Sequence, residues 1–131
     1  MLENNFIPGI RNAKITQVFT IAWGIMILIL CLMPASDLPK VERIPNLDKI
    51  VHFTLYFVLS VSELITIKLQ KTKINSAFVI IGFFLGSFLI EVLQGILPFN
   101  RSFSMLDLVA NLSGLLGGLL FYRFVISEKI A

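Results

Sequence analysis

One cysteine, one histidine and one tryptophan occur in 131 residues, beside twelve phenylalanines and only two tyrosines. The lone Cys31 rules out an internal disulfide and a CxxC zinc pair, and reads as a small apolar residue of a first helix. One Trp and two Tyr leave only a sparse interfacial aromatic belt. Charge is scarce too. Charged residues make up 15% of the chain, whereas apolar residues reach 56%, above the ~45–50% usual for soluble domains. The mean hydropathy is +0.89. The formal charge of +3 does not indicate nucleic acid, because Lys and Arg in so apolar a chain mark loops at a membrane surface and meet anionic headgroups. No repeat of solenoid period and no low-complexity segment occurs.

What is present is a set of four apolar stretches, Ile15–Met33, Ile50–Ile67, Ser76–Pro98 and Met105–Ile126. Each reaches or nearly reaches the ~20 residues that carry a helix across ~30 Å of hydrocarbon. The expectation is an all-α polytopic membrane protein with helices over about 15–33, 50–67, 76–98 and 105–126. Residues 1–131 would form one domain, with a tail over 1–14 and a core over 15–126. Leu28-Ile29-Leu30-Cys31 imitates a lipoprotein signal, but bulky Leu30 stands where a small residue is wanted. The first apolar run is also long for a signal core of ~7–15 residues, so it is read as a retained helix.

Punctuation between the runs is clear. Pro34 ends the first helix, and Pro98-Phe99-Asn100-Arg101 breaks the third. Asn46 or Asp48 is the expected N-cap of the second helix, and Ser102 or Ser104 that of the fourth. Arg11, Lys14, Lys68, Lys71, Lys73, Arg123 and Lys129 fall on one side of such a bundle, against Lys40, Arg43, Lys49 and Arg101 on the other. The excess of basic residues predicts both termini in the cytoplasm of a multi-pass plasma-membrane protein.

Polar residues inside the spans gather at one depth. At ~1.5 Å per residue, His52 and Tyr56, Glu91 and Gln94, and Asp107 and Asn111 lie within ~5–10 Å of the same outer surface. Spacings of three and four residues align Asp48, His52 and Tyr56 on one stripe. Ser87, Glu91 and Gln94 make a second stripe, and Asp107, Asn111, Gly114 and Gly118 a third. Unpaired polar groups in hydrocarbon cost several kcal/mol, so the stripes should turn inward and enclose a polar pocket floored by the glycines.

Three readings of that pocket stand side by side. In the first, its members glue helices together through hydrogen bonds. In the second, they form a catalytic site with His52 as acid/base or nucleophile, Glu91 or Asp107 orienting it, and Lys49 with Arg101 holding an anion. In the third, His52, Glu91 and Asp107 bind a metal, although no HExxH or comparable spacing points to one. Gly82-Phe83-Phe84-Leu85-Gly86, and Gly114 with Gly117 and Gly118, are read as packing surfaces within the bundle. Glu63 is expected to snorkel or to pair with a basic group such as Lys68. Trp23 is expected to pack, and the first helix to serve as scaffold.

In order, Asp48-Lys49-x-x-His52-x-x-x-Tyr56, Glu91-x-x-Gln94, Pro98 and Arg101-x-x-Ser104-x-x-Asp107-x-x-x-Asn111-x-x-Gly114 resemble the VanZ-like family of small bacterial membrane proteins. The resemblance covers roughly Met33 to Gly118. The family's namesake is associated with resistance to the lipoglycopeptide teicoplanin. The resemblance implies a functional set of Asp48, Lys49, His52, Glu91, Gln94, Arg101, Ser104, Asp107 and Asn111. The resulting expectation is an envelope protein engaging an amphiphilic anionic ligand, such as a lipid-linked wall precursor, a phospholipid or a lipoglycopeptide. The alternative is a membrane-embedded hydrolase or transferase acting on a lipid headgroup. His52, Glu91 and Asp107 are the catalytic candidates. Asp48, Lys49, Tyr56, Gln94, Arg101, Ser104 and Asn111 are the ligand-binding ones. No cofactor and no metal is expected. The partners are membrane lipids and the ligand itself, with a homo-oligomer as a further option. A transporter is disfavoured, since four helices without internal repeats offer little for alternating access.

Overall fold

A computed structural model describes residues 12–38 and 44–130. The loop residues Lys40 and Arg43, and Arg11 of the tail, lie outside the described residues. Four α-helices follow one another: α1 (Ala13–Leu32), α2 (Leu47–Leu69), α3 (Ser76–Ile96) and α4 (Met105–Phe121). No strand occurs among the described residues. A 3-10 turn over Ala35–Asp37 follows α1, and a π-helical turn over Tyr122–Ile126 continues α4. All four helices are long and apolar enough to cross a membrane, the last over Met105–Ile126. The protein is therefore an all-helical membrane protein with four spans.

Local chemistry sets the ends. Asn12 Oδ1 accepts from Lys14 N and Asn75 Oδ1 from Ala77 N, each at 2.9 Å, which satisfies first-turn donors of α1 and α3. Ser104 Oγ accepts from Asp107 N at 3.2 Å and caps α4. Met33 and Leu97 turn extended immediately before Pro34 and Pro98, because a proline disfavours helical geometry in the residue before it. The second helix starts at Leu47, three residues earlier than the apolar run suggested. Asn46 stands at its N-cap position in a left-handed conformation (φ 59°) and makes no side-chain capping bond. Asp48 lies in the first turn, where its charge complements the helix dipole.

Packing is uneven around the bundle. The α2 and α4 backbones are in close approach along Gly114 and Gly118. A Cβ on Gly114 would overlap the carbonyl oxygen of Phe53, and one on Gly118 would stand 2.7 Å from that of Phe57. Ser60 Oγ donates to Leu115 O at 3.0 Å across the same seam. Gly114 and Gly118 thus seat α4 on α2 and do not floor a pocket. Leu55, Tyr56 and Leu59 of α2 join Ile27, Ile80 and Leu115 in the apolar core. Trp23 packs against that core, as expected, and its Nε1 donates to Leu55 O at 2.9 Å.

The glycines of α3 behave differently. A Cβ on Gly82 or Gly86 would meet nothing within 4 Å, and the same holds for Gly24 of α1. The GxxxG stretch of α3 therefore makes no close helix contact within the described chain, contrary to expectation. It opens a groove of about 350 Å³ between α1 and α3, lined by Gly24, Gly82, Gly86, Tyr56, Ser87 and Glu63. Glu63 is half-buried there and makes no ion pair among the described residues, so of the two expectations, snorkelling or pairing with a basic group, the pairing is not seen. Large apolar side chains such as Val18, Ile81, Leu85, Leu106 and Phe124 face outward on the remaining surface. Exposed apolar area on this scale suits lipid contact.

Candidate functional site

One end of the bundle gathers the C-terminal turns of α1 and α3 and the N-terminal turns of α2 and α4. The two loops at this end are tied together where Ala35 N donates to Phe99 O at 3.0 Å. Helix periodicity brings His52 inward one turn after Lys49, and Asn111 one turn after Asp107. His52 and Asp107 each bring an atom within 4.8 Å of Glu91, on the α3 stripe with Ser87 and Gln94. His52, Glu91, Asp107 and Asn111 are all buried.

Each side chain has a defined partner. His52 Nδ1 lies 2.9 Å from Asn111 Oδ1. An amide oxygen only accepts, so with the Asn111 amide in this orientation Nδ1 carries a proton and donates to it. The other ring nitrogen, Nε2, points to Asp107 Oδ2 at 3.8 Å, beyond hydrogen-bond range. Asp107 Oδ1 pairs with the Lys49 ammonium, which also pairs with Asp48. Glu91 Oε2 accepts from Ser104 N at 3.2 Å. Its second oxygen, Oε1, is buried and has no hydrogen-bond partner among the described residues.

The remaining candidates distribute around this centre. Gln94 Nε2 donates to Cys31 O at 2.6 Å, and Arg101 Nη1 donates to Leu30 O at 3.0 Å. Ser104 acts through its backbone N–H on Glu91 and through its capping hydroxyl. Asp48 is exposed and stands outside the buried group. Tyr56 lies one turn deeper than His52, in the apolar core and at the groove.

The first helix contributes more than scaffold. Its last-turn carbonyls, at Leu30 and Cys31, orient Arg101 and Gln94. No side chain in that turn announces the role. The available signal was Pro34, since a helix that stops leaves its last four carbonyls without intrahelical donors.

One potential ligand atom each from His52, Glu91 and Asp107 lies within 4.8 Å of the others. That trio is the group among the described residues able to hold a metal ion. As a hydrogen-bonded set, the site could also hold a polar headgroup, with Nε2 making no hydrogen bond among the described residues. The chain matches no family model, no curated protein and no solved structure. What the site does is therefore read from its own chemistry.

Proposed function

We propose that this is a VanZ-like protein of the bacterial cell envelope that engages an amphiphilic anionic molecule at its polar end. Both termini face the cytoplasm in this reading, which leaves the polar end at the outer leaflet. The ligand class is a lipid-linked wall precursor, a phospholipid or a lipoglycopeptide. Contribution to teicoplanin-type resistance is the cellular role the resemblance suggests.

The observation that carries this reading is the continuity between polar cluster and apolar groove. Tyr56 and Ser87 line the groove, and each lies one helical turn from His52 or Glu91. A headgroup at the cluster can thus leave its acyl chain along Gly24, Gly82 and Gly86, where missing side chains make room. Lys49 is already held between two carboxylates. The anionic group therefore falls to Arg101, which has no ion-pair partner among the described residues and keeps N–H donors beyond the one given to Leu30 O.

Mass spectrometry of lipids retained by the purified protein tests this. Wild type should hold an anionic amphiphile, and Arg101→Gln should hold about tenfold less, the loss expected for a charge-assisted hydrogen bond. Equal retention by both would overturn the assignment. The buried Nε2 of His52, which makes no hydrogen bond among the described residues, favours a second reading, a lipid-headgroup hydrolase or transferase. Comparative lipidomics separates the two. An enzyme predicts one lipid species altered between cells carrying wild type and His52→Ala, with binding retained in the variant, whereas a binder predicts no altered species.

Orientation has its own check. Among the described residues, Lys14, Lys68, Lys71, Lys73, Arg123 and Lys129 lie at the end opposite the cluster, which supports cytoplasmic termini. In whole cells, a cysteine introduced at Ser102 should react with an impermeant thiol reagent, and one at Thr72 should not. The reverse pattern would invert the topology.

A further inference from the structure

We propose that His52 Nε2, Glu91 Oε1 and Asp107 Oδ2 bind a divalent transition-metal ion of the zinc or manganese type. Each of the three side chains has one ligating atom committed to a protein partner and one left free. Nδ1 of His52 faces Asn111, Oε2 of Glu91 takes the Ser104 N–H, and Oδ1 of Asp107 takes Lys49. That division matches metal sites, where an outer partner fixes the tautomer or rotamer and leaves the other atom for the ion.

The free oxygen of Glu91 is the independent sign. A carboxylate oxygen at 1% residue exposure with no hydrogen-bond partner is a costly arrangement inside apolar protein unless a cation or proton meets it. Lys49 cannot serve, because its ammonium is placed on Asp48 and on the far oxygen of Asp107. Lys49 offsets the charge of Asp107 on its other oxygen, so the Glu91 carboxylate is the anion left for a cation to meet.

One nitrogen and two oxygens suit zinc or manganese better than magnesium or calcium, which take oxygen ligands. Ligand atoms around tetrahedral zinc stand about 3.4 Å apart, given bonds of ~2.1 Å. One ligand atom from each residue lies within 4.8 Å of the others, wider than that value, so a bound ion would have to draw the three side chains together. Three protein ligands leave a coordination position open, as in catalytic zinc sites. No local spacing motif appears because the ligands come from three separate helices.

The full chain, purified in detergent and stripped with EDTA, should be titrated with Zn²⁺ and with Mn²⁺, counting bound metal after equilibrium dialysis. One ion per chain and a raised Tm are expected. Glu91→Gln and His52→Ala should each weaken binding by more than about tenfold, and Asn111→Ala by about tenfold. Should a variant fail to fold, pulsed electron paramagnetic resonance of Mn²⁺ on wild type gives a direct reading, because an imidazole nitrogen ligand produces a hyperfine signature. Folded wild type that binds neither ion, binding unchanged in both ligand variants, or bound Mn²⁺ lacking the nitrogen signature would each overturn the proposal. The measurement counts metal per chain and compares ligand variants, whatever lipid the protein retains, so its failure leaves the amphiphile reading standing.

Discussion

The α2–α4 seam and the α1–α3 flank use the same small residue, yet one is closed and the other open. Within the membrane-spanning windows, 56% of α2 is buried, against 17% for each of α1 and α3. Gly114 and Gly118 remove side chains so that two backbones can meet. Gly24, Gly82 and Gly86 remove side chains where no helix arrives, leaving the groove. Lipid tails are as apolar as leucine, so burial alone gives helices little reason to associate, and close backbone packing decides which pairs do. The closed seam also carries His52 and Asn111 on its two sides. A rigid seam therefore positions the polar cluster, while the open flank offers space beside it.

Exchanging glycine for alanine on each side is the strongest way to break this comparison. Gly114→Ala forces a methyl group onto the Phe53 carbonyl, a backbone atom that cannot swing aside. It should cost about 3 kcal/mol, the upper part of the usual overpacking range, and show as a lowered Tm in detergent. Gly82→Ala adds the same methyl group to open space and should stay within about 1 kcal/mol of wild type, on the stabilising side, because alanine favours helix. Equal losses at both positions would mean that the flank closes in the membrane as the seam does.

The same contrast explains what the sequence made legible. Four spans could be read from apolar length, and several of their ends from Pro34, Asn46, Pro98 and Ser104. The apolar run placed the start of α2 three residues late, because Asp48 and Lys49 lower local hydropathy, whereas the Asn46 cap position marked it correctly. Convergence of His52, Glu91 and Asp107 was legible from depth, since polar groups in hydrocarbon must turn toward one another. Their pairings were not. Asn111 as the partner of Nδ1, and the Leu30 and Cys31 carbonyls as acceptors, depend on helix rotation and on backbone groups that every residue carries. The two glycine pairs were read alike for a similar reason: spacing says that a helix can be approached closely, not that a partner comes.

Aspartate repeats the lesson at smaller scale, around one lysine. Lys49 pairs with both Asp107 and Asp48, whose side chains are 12% and 62% exposed. Asp107→Asn removes a buried anion at the seam and strands the lysine beside Asp48 alone. Because Lys49 itself sits at the rim, the cost should reach about 2 kcal/mol, below the full penalty for breaking a deeply buried pair. Asp48→Asn should cost under about 1 kcal/mol, since a solvated pair gains little from its attraction. Double-mutant cycles with Lys49→Met measure both couplings under identical conditions. A larger coupling to Asp48 than to Asp107 would show that the lysine belongs to the solvent edge, and would detach it from the buried cluster.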